Sequence, residues 1–130
     1  MHELLFLLGR VVYGGFFVLN ALNHFTKTGM MAQYAGSKKV PSPKYAVLLS
    51  GLLILLGGLG ILLGVYVQYA ILLVVVFLAV VSFTMHNFWT VQDPMQKQME
   101  MVQFLKNMAL LGAALMALAI PEPWAYSLTF

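Results

Sequence analysis

Roughly 20 residues without a formal charge lead into the segment Ser82-Phe83-Thr84-Met85-His86-Asn87-Phe88-Trp89. A run of that length and character spans a bilayer, and few soluble architectures accommodate it. It ends abruptly: an imidazole, an amide and an indole arrive together, and Asp93-Pro94 follow. Polar groups at the end of a membrane span are costly unless they are paired or wetted. The remaining apolar runs are therefore expected to be helices packed around that polar end.

The 130 residues form one domain, 62% hydrophobic and only 8% charged, against roughly 25% charged in soluble proteins. At about 20 residues per span, four helices and short loops use up the chain. The apolar runs are continuous rather than alternating, which argues against a β-barrel. The expected fold is all-α, an integral membrane four-helix antiparallel bundle over residues 1–130, with spans at about 4–25, 45–64, 68–88 and 98–120. The lack of cysteine excludes disulfides and thiol chemistry. The net charge of +3 comes from lysines beside the spans, a topology signal rather than a nucleic-acid footprint.

In the first span Arg10, Tyr13, Asn20 and His24 fall within one third of the helix circumference, with Asn23 at the edge of the stripe. The connector Thr26–Lys44 is polar, ends Val40-Pro41-Ser42-Pro43, and has room for a short interfacial helix over Gly29–Ser37 carrying Met30, Met31 and Tyr34. The second span is glycine-rich, and its Gly60-x-x-x-Gly64 pattern permits close helix approach. Only Val65–Val67 links it to the third span, so the two form a tight hairpin. Asp93 is placed to cap a fourth helix whose first residue is Pro94. Along that helix Gln96, Glu100, Gln103 and Asn107 share a face. Ala109, Ala113 and Ala117 form a small-residue seam beyond them, and Trp124 and Tyr126 are expected as interfacial anchors.

Antiparallel order brings the end of span one, the end of span three and the start of helix four into one leaflet. The candidate ligand pocket is therefore Asn20, Asn23, His24, His86, Asn87, Trp89, Gln103, Lys106 and Asn107, with Arg10 as an intramembrane charge toward the other leaflet. Each member also has a structural reading. The histidines can reach interfacial water, Lys106 can snorkel, Gln96, Lys97 and Glu100 can be a solvated first turn, and the tryptophans can be belt residues. No metal site is expected.

Gly9-Arg10, Asn20–Phe25, the proline-containing connector and the glycine-rich second span resemble the DoxX family of small four-helix membrane proteins. The sharpest likeness is His86-Asn87-Phe88-Trp89 with Asp93-Pro94 and Gln103-Phe104-Leu105-Lys106-Asn107, similar to that family's His-x-Phe-Trp…Phe-Leu-Lys-Asn stretch. The resemblance implies a membrane oxidoreductase subunit, related to the small subunit of thiosulfate:quinone oxidoreductase, and it carries over no catalytic residues. Three functions stay open. One is a quinone-linked redox subunit holding a quinone head in the polar half-bundle. Another is a non-enzymatic anchor or scaffold for partner subunits. The third is haem b ligation by His24 and His86. The expected setting is the plasma or inner membrane, with the lipid bilayer and other protein subunits as partners. By the positive-inside rule the connector and third loop are cytoplasmic and the termini outside.

Overall fold

The computed structural model describes residues 1–128. The helices are α1 (His2–Thr26), α2 (Thr28–Ser37), α3 (Pro43–Leu63), α4 (Val67–Met85) and α5 (Pro94–Leu118), with one 3₁₀ turn, Phe88–Thr90, before α5. No strand occurs among the described residues. The four long helices are each long and apolar enough to cross a membrane, which makes the fold an all-α membrane bundle. Their outer faces carry Leu4, Leu8, Val12, Leu19, Leu49, Leu56, Val80 and Leu115, all exposed. In lipid that exposure costs nothing, because acyl chains are as apolar as leucine.

Helix α3 is the centre of the bundle. It packs on α1 along one side and on α4 along the other, α5 packs on α4, and α2 lies across α3. Glycine permits this. A Cβ on Gly14 would sit 2.8 Å from the Gly58 carbonyl, and one on Gly58 would sit 2.9 Å from the Gly14 carbonyl. On the other side Gly57 and Gly60 meet Val74 and Ala70. Without a hydrophobic drive between helices in lipid, such close backbone approach supplies the dispersion contacts that hold the helices together. Gly64 serves differently from the paired packing expected of it. It closes α3 in the left-handed conformation, at φ 73°, which glycine adopts without a Cβ clash.

Between the third and fourth spans the sequence signals are realised closely. The Asp93 carboxylate accepts from the Gln96 N–H at 3.0 Å, and Pro94 opens α5. The connector forms the short helix α2 with Ala35 buried against its neighbours. The tail departs from expectation: Trp124 is 4% exposed and edge-on to Phe6 at 5.0 Å, so it is a core residue and not a belt residue. Tyr126 remains exposed.

Arg10 explains why the tail is drawn in. Its guanidinium donates to the carbonyls of Ile61 (3.2 Å) and Leu62 (3.1 Å), in the last turn of α3, and to those of Ala125 and Tyr126 (3.5 Å) in the tail. Phe6 and Trp124, in contact with each other, both flank it, with ring centroids 5.6 and 5.5 Å away. The last carbonyls of a helix lack intrahelical partners and carry the negative end of its dipole, so a cation is favourable there. Arg10 thus satisfies main-chain carbonyls of α3 and of the tail.

Candidate functional site

The polar groups expected to share one pocket divide into three groups. The first centres on Glu100, which is 8% exposed. Its Oε1 accepts from the Tyr34 hydroxyl at 2.6 Å, and its Oε2 lies 3.0 Å from His86 Nδ1. A carboxylate only accepts, so Nδ1 carries the proton. Beside it, Lys38 Nζ donates to Asn87 Oδ1 at 3.1 Å. The cluster therefore ties α2 and its C-terminus to the end of α4 and the first turns of α5. Burial, and then the Glu100 carboxylate, push the Tyr34 phenol above its ordinary range.

The second group surrounds a cavity of about 690 Å³ between α2, α3 and α4, with the end of α1 at its inner side. Its walls are mostly aliphatic and methionine side chains, with Phe77 across from α2. Four polar side chains reach it: His24, Tyr34, Ser50 and Thr84. His24 is 5% exposed, and its ring lies 5.9 Å edge-on to Phe77. Gly51 makes room for it, since a Cβ there would come within 2.8 Å of the His24 Cβ. His24 Nδ1 lies 2.8 Å from the Asn20 carbonyl one turn back. Asn20 thus contributes its main chain to holding His24.

The third group lies apart on α5. Lys106 Nζ donates to Gln103 Oε1 at 2.8 Å and sits 5.6 Å from the Phe16 ring. Both Lys106 and Gln103 are exposed, as is Asn23 on α1, whereas Asn107 is buried. Trp89 is exposed and lies edge to face with Phe88 and Phe104 and tilted against Phe83, a cluster that fastens the 3₁₀ turn to α5. Arg10 lies at the opposite end of the bundle, as its position along α1 requires.

Sequence reasoning undervalued Tyr34 and Glu100. Glu100 had a signal, its place on the face of Gln103 and Asn107, one and two turns further on; Tyr34 had only its position in an interfacial helix. Ser50 and Thr84 carry no signal, since isolated hydroxyls in a span are common. The two histidines do not face a common space. His24 lines the cavity, while His86 lies outside its walls with Nδ1 engaged by Glu100, so the pair does not fit a haem iron between them.

A multi-pass helical bundle with a small-molecule-sized cavity at one end of its helices defines the class: an integral membrane protein with a candidate ligand site. The DoxX family model matches residues 5–87, and the chain belongs to that family. The match covers α1 to α4 and ends at Asn87. No curated protein matches the chain, and no solved structure does.

Proposed function

We propose that this protein is the membrane-embedded subunit of a quinone-linked redox system, and that it binds the lipid-soluble ring in the cavity between α2, α3 and α4. The observation that carries the reading is the cavity itself. Its volume of about 690 Å³ falls in the usual small-molecule range of roughly 300–1,000 Å³. An apolar space with a few polar atoms at one end suits a flat ring on an isoprenoid tail. When bound, such a ring supplies two-electron redox chemistry. The chain's own residues bind it and exclude water: Phe77 and Val47 as walls, His24 and Tyr34 at the polar end. His86 and Asn87, through Glu100 and Lys38, hold α2 beside the cavity, whereas Trp89, Gln103, Lys106 and Asn107 lie apart from it.

The test is to extract the protein purified in mild detergent and identify what it retains by mass spectrometry. A quinone or quinol at near one per chain is the expected result, lost in Ala46→Trp, which fills the cavity. Purification free of any such molecule would sink the reading. A second reading, an anchor for a partner subunit, draws support from the exposed lysines Lys27, Lys39 and Lys44 on the connector side. In both readings the connector and the loop before α5 face the cytoplasm of a plasma or inner membrane, with the termini outside. A C-terminal reporter active only in the cytoplasm would reverse that orientation.

A further inference from the structure

The polar atoms on the cavity wall share one property, visible when each hydrogen is assigned. The Tyr34 hydroxyl donates its hydrogen to Glu100. The Ser50 hydroxyl donates to the Val47 carbonyl at 2.9 Å, and the Thr84 hydroxyl to the Val80 carbonyl at 2.7 Å. His24 Nδ1 faces the Asn20 carbonyl, which only accepts, so the ring hydrogen is on Nδ1. In the neutral imidazole this leaves a lone pair on Nε2. Among the described residues nothing donates to that nitrogen, which is not one of the fully occluded unpartnered atoms and belongs to a residue that lines the cavity. Among the described residues no carboxylate lines the cavity to balance an imidazolium, and an unbalanced charge in an apolar space is expensive. Main-chain N–H groups of the α3 and α4 walls are bound within their helices. Among the described residues, the side chains of the wall therefore offer acceptors and no free donor.

We infer that the site selects a ligand that brings its own hydroxyl hydrogen, and that His24 Nε2 is the atom that receives it. The inference rests on the quinone-linked reading above and narrows it. A quinone carries two carbonyl acceptors and would set acceptor against acceptor. The reduced quinol carries two phenolic O–H donors and matches the wall. A buried polar group left unpaired is costly, whereas the same group in a hydrogen bond is not. The discrimination therefore comes mainly from rejecting the mismatched oxidised form, the strategy by which polar sites reject analogues that lack a hydroxyl. The shared chemistry is a hydroxyl on an apolar body, which a quinol or an aliphatic alcohol of similar length could supply.

The experiment uses the full chain in phosphatidylcholine nanodiscs and measures binding of three probes by calorimetry. They are a short-tailed benzoquinone, the same molecule reduced and held under argon, and an unbranched aliphatic alcohol of equal length. The quinol is expected to bind at least about tenfold more tightly than the quinone. His24→Asn keeps a polar atom near the Nδ1 position and removes Nε2, so the two forms should then bind about equally, within roughly threefold. His24→Gln returns a carbonyl oxygen toward the Nε2 position and should restore the preference. Equal or tighter binding of the quinone to the unmodified protein overturns the inference while leaving the quinone-linked reading standing. Binding of neither redox form overturns both. An alcohol that binds as tightly as the quinol supports hydroxyl selection and overturns the quinone ring as the ligand. The comparison of redox forms needs no variant, so a misfolded His24→Asn protein does not blunt it.

Discussion

The Arg10 guanidinium donates to the main-chain carbonyl of Ala125, 115 residues away, and so joins the first span to the tail that follows the last. The same group bonds Ile61 and Leu62 at the end of α3. One side chain therefore fixes three segments at the terminal end of the bundle. Replacing it by methionine strands several carbonyls in a dry place, each costing about 1–3 kcal/mol if unpaired. Arg10→Met should lower stability by about 3 kcal/mol or more, read as a lower melting temperature in detergent. Deleting the residues after Glu122 should cost a similar amount by leaving the guanidinium uncompensated. The two changes together should cost clearly less than their sum, because they remove the same contacts. Full additivity would show that the tail and Arg10 act independently.

The glycines sort into two classes by what a methyl group would meet. At Gly14 and Gly57 the added carbon would lie 2.8 Å from the Gly58 carbonyl and 2.7 Å from the Val74 side chain. At Gly9, Gly15 and Gly112 it would meet nothing within 4 Å. Gly14→Ala and Gly57→Ala should therefore lower the melting temperature by pushing α3 off its neighbours. The three open positions should tolerate alanine or gain up to about 1 kcal/mol from its better helix propensity. Equal effects at both classes would contradict the close α1–α3 and α3–α4 contacts.

The four spans, the hairpin between α3 and α4 and the Asp93 cap could be read directly from the sequence, because length, charge-free runs and capping chemistry act locally. The polar stripes on the helices were also readable, from helical periodicity. How those residues divide was not. Periodicity puts Asn20, His24 and Asn107 on stripes, but it does not say which neighbour each stripe meets. That depends on α3 lying between α1 and α4, set by glycines on two faces of one helix. The burial of Trp124 was hidden for a similar reason. Its partners, Phe6 and Arg10, are more than 100 residues earlier.

Tyr34 gives a pH dependence with a definite sign. Burial and the neighbouring Glu100 raise its phenol above the ordinary value, which is near ~10. A group whose folded value is raised contributes stability in full below the unfolded value and loses it as pH climbs toward the folded one. The unmodified protein should therefore be more heat-stable than Tyr34→Phe at neutral pH, by about 1 kcal/mol for the lost bond to Glu100. That advantage should persist to about pH 10 and shrink above it. Melting curves of the two proteins from neutral to alkaline pH decide the matter. An advantage that shrinks below pH 8 would mean another group holds Glu100.

Lys106 is the residue for which two roles make opposite forecasts. Its amine donates to Gln103 and lies over the Phe16 face, its side chain is exposed, and it does not line the α2–α3–α4 cavity. An exposed pair of this kind, one turn apart on a helix, contributes roughly 0–0.5 kcal/mol. The cation over Phe16 adds about 0.5–1 kcal/mol. Methionine keeps most of the apolar stem, which packs while the charged end seeks polar surroundings. Lys106→Met should therefore change stability by no more than about 1.5 kcal/mol. It should also leave ligand retention as it is in the unmodified protein, while Ala46→Trp in the cavity abolishes retention. If Lys106→Met instead empties the protein of its ligand at unchanged stability, the ligand contacts α5. The binding site would then have to move from the α2–α3–α4 cavity to the seam between α1 and α5.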